Sequence, residues 1–170
     1  MRRERGFTLL ELSLVLALIG LLATLILPRI DVLSGAELDS ITRRIAQRVR
    51  YLREDAARRN LWVRMVFDAE KKSLRMEEGV QTEEGWSFLP GEGRLYQTLR
   101  IPDSLSLRIY GPGVRPTGNG LSSLLFASDG FADPGTIEVT DDSGRAVLVL
   151  IEPARTRPRI VDAPMGRPRS

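Results

Sequence analysis

The strongest constraint on this chain lies at its N-terminus, where "LSLVLALIGLLATLILP", from Leu12 to Pro28, contains no charged residue. Extended back to Phe7, the run at about 1.5 Å per residue covers roughly the 30 Å hydrocarbon core of a bilayer as a helix. The expectation is a membrane stem over residues 7–28, followed by a domain that the remaining length can build around one core. Arg2, Arg3 and Arg5 precede the run. By the positive-inside bias, residues 1–6 stay in the cytoplasm and the bulk of the chain crosses the membrane. Glu11 conflicts with its neighbours, because a carboxylate inside a membrane helix costs about 2.5–3.5 kcal/mol and calls for a partner or a shallow, snorkelling position.

Two ordinary export signals fit less well. A cleaved signal peptide needs a shorter apolar core and a small-x-small site, which "LATLILPRIDVL" lacks. A twin-arginine signal is suggested by the pair at positions 2 and 3, but Glu4 follows it and no serine or lysine flanks it.

As a whole, "RGFTLLELSLVLALIGLLATLILP" resembles the class III signal of type IV prepilins and type II secretion pseudopilins. The resemblance implies that a prepilin peptidase cuts after Gly6 and methylates the new N-terminus at Phe7. It also implies that Glu11, at the fifth mature position, pairs with the N-terminal amine of a neighbouring subunit. Gly20 and Pro28 fall where such stems carry a helix-loosening glycine and proline, although close packing and a simple bend are equally good readings. The physics agrees. A glycine before the cut admits a protease to the backbone, and a buried amine and carboxylate offset each other's desolvation across a subunit boundary.

Beyond a short break expected around Ser34 and Gly35, residues 29–60 form a periplasmic amphipathic helix. Leu38, Ile41, Ile45, Val49, Leu52 and Ala56 recur at spacings of three and four. Its other side carries Arg43, Arg44, Arg48, Arg50, Arg53, Arg58 and Arg59, a solvated face or a contact surface for a neighbour. From Leu61 the pattern changes to short β-forming runs such as "LWVRMVFD", "GWSFLP", "LYQTLRI" and "AVLVLIE". Turn clusters such as "PTGNG" and "SDGFADPG" separate them, and "DDSG" reads as a hairpin. The fold class is therefore α+β, and with the stem it suits a pilin-like architecture: a long N-terminal helix, then an antiparallel β-rich domain over 61–161.

Composition narrows the chemistry. With no cysteine and no histidine, disulfides, thiol nucleophiles and imidazole bases or ligands are excluded. The acidic loops lack the alternating ligands and closing glutamate of a calcium loop, so turn chemistry is the better reading. "GPGVRPTGNG" lacks the ending of a phosphate loop. No enzyme, metal or cofactor is expected.

The C-terminal stretch "LLFASDGFADPGTIEVTDDSGRAVLVLIEPARTRPRIV" resembles that of H-type minor pseudopilins, in which a Phe-x-x-x-Gly segment (here Phe126 and Gly130) precedes a hairpin and a final basic strand (Arg157 to Val161). This implies a non-enzymatic minor pseudopilin of a type II secretion system that initiates or caps a periplasmic pseudopilus. Its partners would be the prepilin peptidase, the major and minor pseudopilins and the assembly platform of the bacterial inner membrane. The alternative is a type IV pilus minor pilin concerned with assembly or DNA uptake. In that case Arg155, Arg157, Arg159, Arg167 and Arg169 would contact phosphates. No aromatic residue is interleaved with them, and residues 162–170 read as a solvated, disordered basic tail, so no nucleic-acid partner is expected. A membrane-anchored periplasmic enzyme is a more distant alternative that needs a carboxylate pair in a cleft.

Overall fold

The computed structural model describes residues 9–83, 85–118 and 120–163, and over residues 23–34 it describes the backbone alone. One α-helix, α1, runs from Leu9 to Arg59. Its 51 residues give a contour length of roughly 75 Å. The expected break at Ser34 and Gly35 does not occur, and the backbone also stays helical through Pro28. A helical glycine costs only about 1 kcal/mol relative to alanine. A Cβ at Gly35 would stand 3.4 Å from Arg145 Nη1, an ordinary contact.

The C-terminus of α1 is closed by its own backbone. Asn60 takes a left-handed conformation with φ of 54°, and the Leu61 N–H donates to the Ala56 carbonyl at 2.9 Å. This is the six-to-one bond of a Schellman cap, and asparagine is among the few non-glycine residues that accept that φ readily.

Among the described residues ten strands follow, all paired antiparallel in two sheets. The first sheet has the order β3 (Gly85–Pro90), β2 (Ser73–Thr82), β1 (Val63–Asp68), β7 (Leu121–Phe126), β6 (Arg115–Pro116), and the two-residue β4 (Leu99–Arg100) also pairs with β2. The second runs β10 (Arg159–Asp162), β9 (Ala146–Ile151), β8 (Gly135–Asp141), β5 (Leu105–Tyr110). Strands β8 and β9 alternate strictly between buried and half-buried side chains, as expected when one face packs and the other meets solvent. Strand β1, flanked by β2 and β7, is buried at every position except Arg64. The stretch "LYQTLRI" yields only β4, because Arg94 to Tyr96 turn and seat the Tyr96 ring in the core. "DDSG" makes the β8–β9 hairpin, with Gly144 at φ 87°. The final strand begins and ends slightly later than the basic run suggested, and the Ala163 N–H still donates to the Ala146 carbonyl at 2.9 Å.

A single core joins all three layers. Leu38, Ile41, Ile45, Val49, Leu52 and Ala56 face Met65, Leu74, Leu124 and Phe126 of one sheet and Ile137, Val139, Val149 and Ile151 of the other. Each large side chain so buried contributes about 1.5–3 kcal/mol. The sheets meet closely where Gly135 starts β8, since a Cβ there would lie 2.8 Å from Leu124 Cδ2.

Candidate functional site

Two regions carry the residues that the sequence singles out, the N-terminal part of α1 and the junction between its last turns and the sheets. In the first, every described side chain from Leu9 to Leu22 is exposed, Leu9 by 87%. Glu11 lies in the first turn among leucines, and the hydroxyl of Ser13 donates to the Leu10 carbonyl at 2.9 Å. Among the described residues, nothing beyond the helix's own neighbouring backbone lies within 4 Å of a Cβ built on Gly20. An apolar helix surface without intramolecular cover must be covered by lipid or by neighbouring chains. Among the described residues no helix is long and apolar enough to cross a membrane. The expected span starts at Phe7, and Gly6 and Phe7 lie outside the described residues.

At the junction, α1 does not present the uniform solvated arginine face that was one reading of its sequence. Arg43, Arg44 and Arg50 are exposed, but Arg53 is buried at 6% exposure. Its Nε donates to the carbonyl of Gly130, and its Nη groups donate to those of Glu152, Pro153 and Arg155. One guanidinium thus joins the loop after β7 to the loop after β9, and burial pulls its pKa below the usual arginine value. Phe126 and Gly130, the pair that suggested the C-terminal family pattern, acquire physical roles here. Phe126 is fully buried, and Gly130, at φ 84°, turns its carbonyl to Arg53.

Two residues further on, Asp55 is also buried. It accepts hydrogen bonds from Tyr96 Oη at 2.8 Å, Arg58 Nη2 at 2.5 Å and Arg59 Nη1 at 3.2 Å. Burial acts to raise its pKa, and the three donors outweigh that and hold it below the ordinary carboxylate range. Burial and the Asp55 carboxylate raise the Tyr96 phenol. Arg59 continues to Glu78 on β2 with bonds of 2.6 and 3.0 Å. Arg48 donates to the Gln97 carbonyl and lies against Met76 Sδ. Sequence reading missed this network. The available signal was the position of Arg53, on the arc shared with Ala46, Val49 and Ala56, where small side chains leave room for a long one.

The acidic loops satisfy themselves. Asp141 Oδ1 accepts from Ser143 Oγ at 2.6 Å and the Arg145 N–H at 3.0 Å, and Asp129 Oδ1 accepts from the Phe131 N–H at 2.9 Å. This is turn chemistry. Among the described residues no group of three or more acidic, cysteine or histidine side chains is placed to hold a metal. An open recess of about 310 Å³ between α1 and β9–β10 is rimmed by Asp39, Arg145 and Asp162. Arg145 bridges the two acids at 3.1 and 3.3 Å, and the Thr42 hydroxyl in the recess is committed to the Leu38 carbonyl at 2.7 Å.

The candidate phosphate-contacting arginines do not form one group. Arg155 is paired with Glu152 at 2.9 Å, Arg157 and Arg159 are exposed, and Arg167 and Arg169 lie outside the described residues.

Comparison with known proteins places these features in a lineage. Residues 1–27 match the prokaryotic N-terminal methylation motif, and residues 42–154 match the type II transport protein GspH. A search of curated proteins finds no match. Solved structures that share the fold include two of the minor pseudopilin EpsH from the type 2 secretion system of Vibrio cholerae. One, at 16% identity, aligns with a TM-score of 0.55 over 77% of this chain and 99% of its own. The other, at 18% identity, aligns with a TM-score of 0.50 over 71% and 96%.

Proposed function

The chain belongs to the type II transport protein GspH family, the minor pseudopilins of type II secretion, and on that premise we propose how its own residues serve assembly. The carrying observation is that one chain joins a methylation motif over residues 1–27 to a GspH domain over 42–154. Residues 1–6 are a cytoplasmic leader, removed by cleavage between Gly6 and Phe7, and Phe7 is methylated. Residues 7–28 form a single-pass stem in the bacterial inner membrane, with the β-rich domain in the periplasm. The exposed leucines of α1 support this reading, since only lipid or neighbouring stems can cover them.

After cleavage, Glu11 stands one helical turn from a new cationic amine. In a stack of stems the amine of one subunit meets Glu11 of the next, and the pair fixes the axial register. Each charge offsets the other's desolvation, so a mis-stacked subunit leaves both unpaired. The chain acts as a structural subunit rather than as an enzyme. Its partners are the prepilin peptidase, the other pseudopilins and the membrane assembly platform.

The test is mass spectrometry of the membrane-extracted chain in cells that lack their own copy. The parent chain is expected to begin at methylated Phe7 and to restore secretion, and Gly6→Val is expected to leave full-length precursor. A methylated Phe7 terminus in Gly6→Val would overturn the assigned cut. Glu11→Gln should be processed normally and yet fail to restore secretion, and full restoration would remove its assembly role.

A further inference from the structure

The β2–β3 hairpin ends the first sheet at an edge that no described strand covers, because β3 pairs only with β2. The Gly91 N–H donates to the Met76 carbonyl. By the alternation of antiparallel ladders, the amides of Leu89 and Ser87 then face β2, while those of Trp86 and Phe88 face outward along the open edge. Natural edges are normally protected by lysines, bulges or prolines. This one has only Pro90, at its end.

The hairpin is also apolar on both faces. Trp86 pairs with Gln81 and lies on the face of Trp62, whose ring it meets edge-on at 6.2 Å. Leu89 and Val80 lie on the opposite face. Trp86 is 56% exposed, Leu89 53% and Val80 42%. A solvated hairpin keeps one polar face.

Charge indicates what covers this edge. From Met76 to Gly93 the sequence has five glutamates and no lysine or arginine. Glu77 and Glu78 are balanced by Arg64 and Arg59. Glu83 and Glu92 are exposed and make no ion pair among the described residues. A second copy would bring two acidic hairpins together, and like charges across a strand pair are destabilising. We propose that β3 accepts an extended segment of another subunit, one in which basic and apolar residues alternate, as an added strand. The added strand takes the outward amides of Trp86 and Phe88, lays its apolar face beside Leu89, and turns its basic side chains to the Trp86 face, where their stems cover that ring and their cations meet Glu83 and Glu92. This deepens the assembly reading above and rests on it.

The full chain in non-ionic micelles is titrated with a short synthetic peptide of alternating lysine and valine, followed by tryptophan emission. The peptide is expected to shift the emission to the blue saturably and to bind about tenfold more tightly than its aspartate–valine counterpart. A version N-methylated at alternate residues, which cannot pair on that edge, should bind about tenfold more weakly. Leu89→Ser should weaken binding roughly fivefold, and Glu83→Lys with Glu92→Lys should erase the preference for the basic peptide. Equal binding of the two charge forms, or full affinity of the N-methylated form, would overturn the proposal. So would self-association, or binding to anionic vesicles, that Leu89→Ser abolishes, because either assigns the edge to a different occupant. Restored secretion by a chain that ignores the peptide defeats this proposal alone. A parent chain left unprocessed and unable to restore secretion defeats the assembly reading beneath it.

Discussion

From Leu9 to Leu22, α1 exposes every side chain, whereas from Leu38 to Ala56 the same helix closes one face against two sheets, and its end is tied to three loops through Arg53 and Asp55 and to β2 through Arg59. Both halves have the same backbone hydrogen bonding, so the difference lies in what the side chains meet. The second half is held by its own chain, and the first depends on a covering that the chain does not supply. Helicity alone therefore says little about where a helix gets its stability.

If that contrast is right, changes in the second half should be costly. Phe126→Ala removes a fully buried ring beneath α1 and should lower the unfolding free energy by about 3–5 kcal/mol, read from denaturant titration of the full chain in micelles by near-ultraviolet dichroism. Arg53→Met keeps the length of the side chain and deletes the donors, leaving four carbonyls without their guanidinium. A loss of about 3 kcal/mol is expected, with faster hydrogen exchange concentrated at residues 128–131 and 152–156.

Tyr96→Phe isolates one bond to Asp55 and should cost about 1–2 kcal/mol near neutrality. Its pH dependence has two limbs. The folded Asp55 pKa is depressed, so its contribution is present above the unfolded carboxylate value of about 3.9 and is lost as pH falls through the folded value. The variant should begin its acid loss at higher pH than the parent. The folded Tyr96 pKa is raised, so its contribution is complete below about 10 and is lost as pH climbs beyond it. The gap between parent and variant should narrow there, as equilibrium unfolding at stepped pH would show. The smallest effect is expected from the largest deletion. A chain starting at Gly35 should unfold within about 0.5 kcal/mol of the full chain, and a collapse of the β-domain in that chain would erase the contrast between the two halves.

Much of this was legible because the signals are periodic or local. The stripe of Leu38, Ile41, Ile45, Val49, Leu52 and Ala56 is buried as its spacing requires, and "DDSG" turns where two apolar runs need a tight link. The continuity of α1 was not legible, because Ser34 and Gly35 look like a break, and the side chain that lies beside the glycine, Arg145, is over a hundred residues away. Arg53 was hidden for the same reason. Its partners are backbone carbonyls, which every sequence contains and none advertises. The five C-terminal arginines read as one group, but Arg155, exposed, pairs with Glu152 and lends its carbonyl to Arg53.

Mechanical load gives the Arg53 cluster a further consequence. Besides the packed core, a pull along α1 would reach the domain by two polar routes in parallel, one through the guanidinium of Arg53 into the loops that flank the second sheet, the other through Asp55 and Arg59 into Tyr96 and β2. Because both anchors sit within the last two turns of the helix, tension is delivered to one end of each sheet and shared among several bonds rather than unzipping them singly. The domain would then travel as a rigid cargo on its shaft.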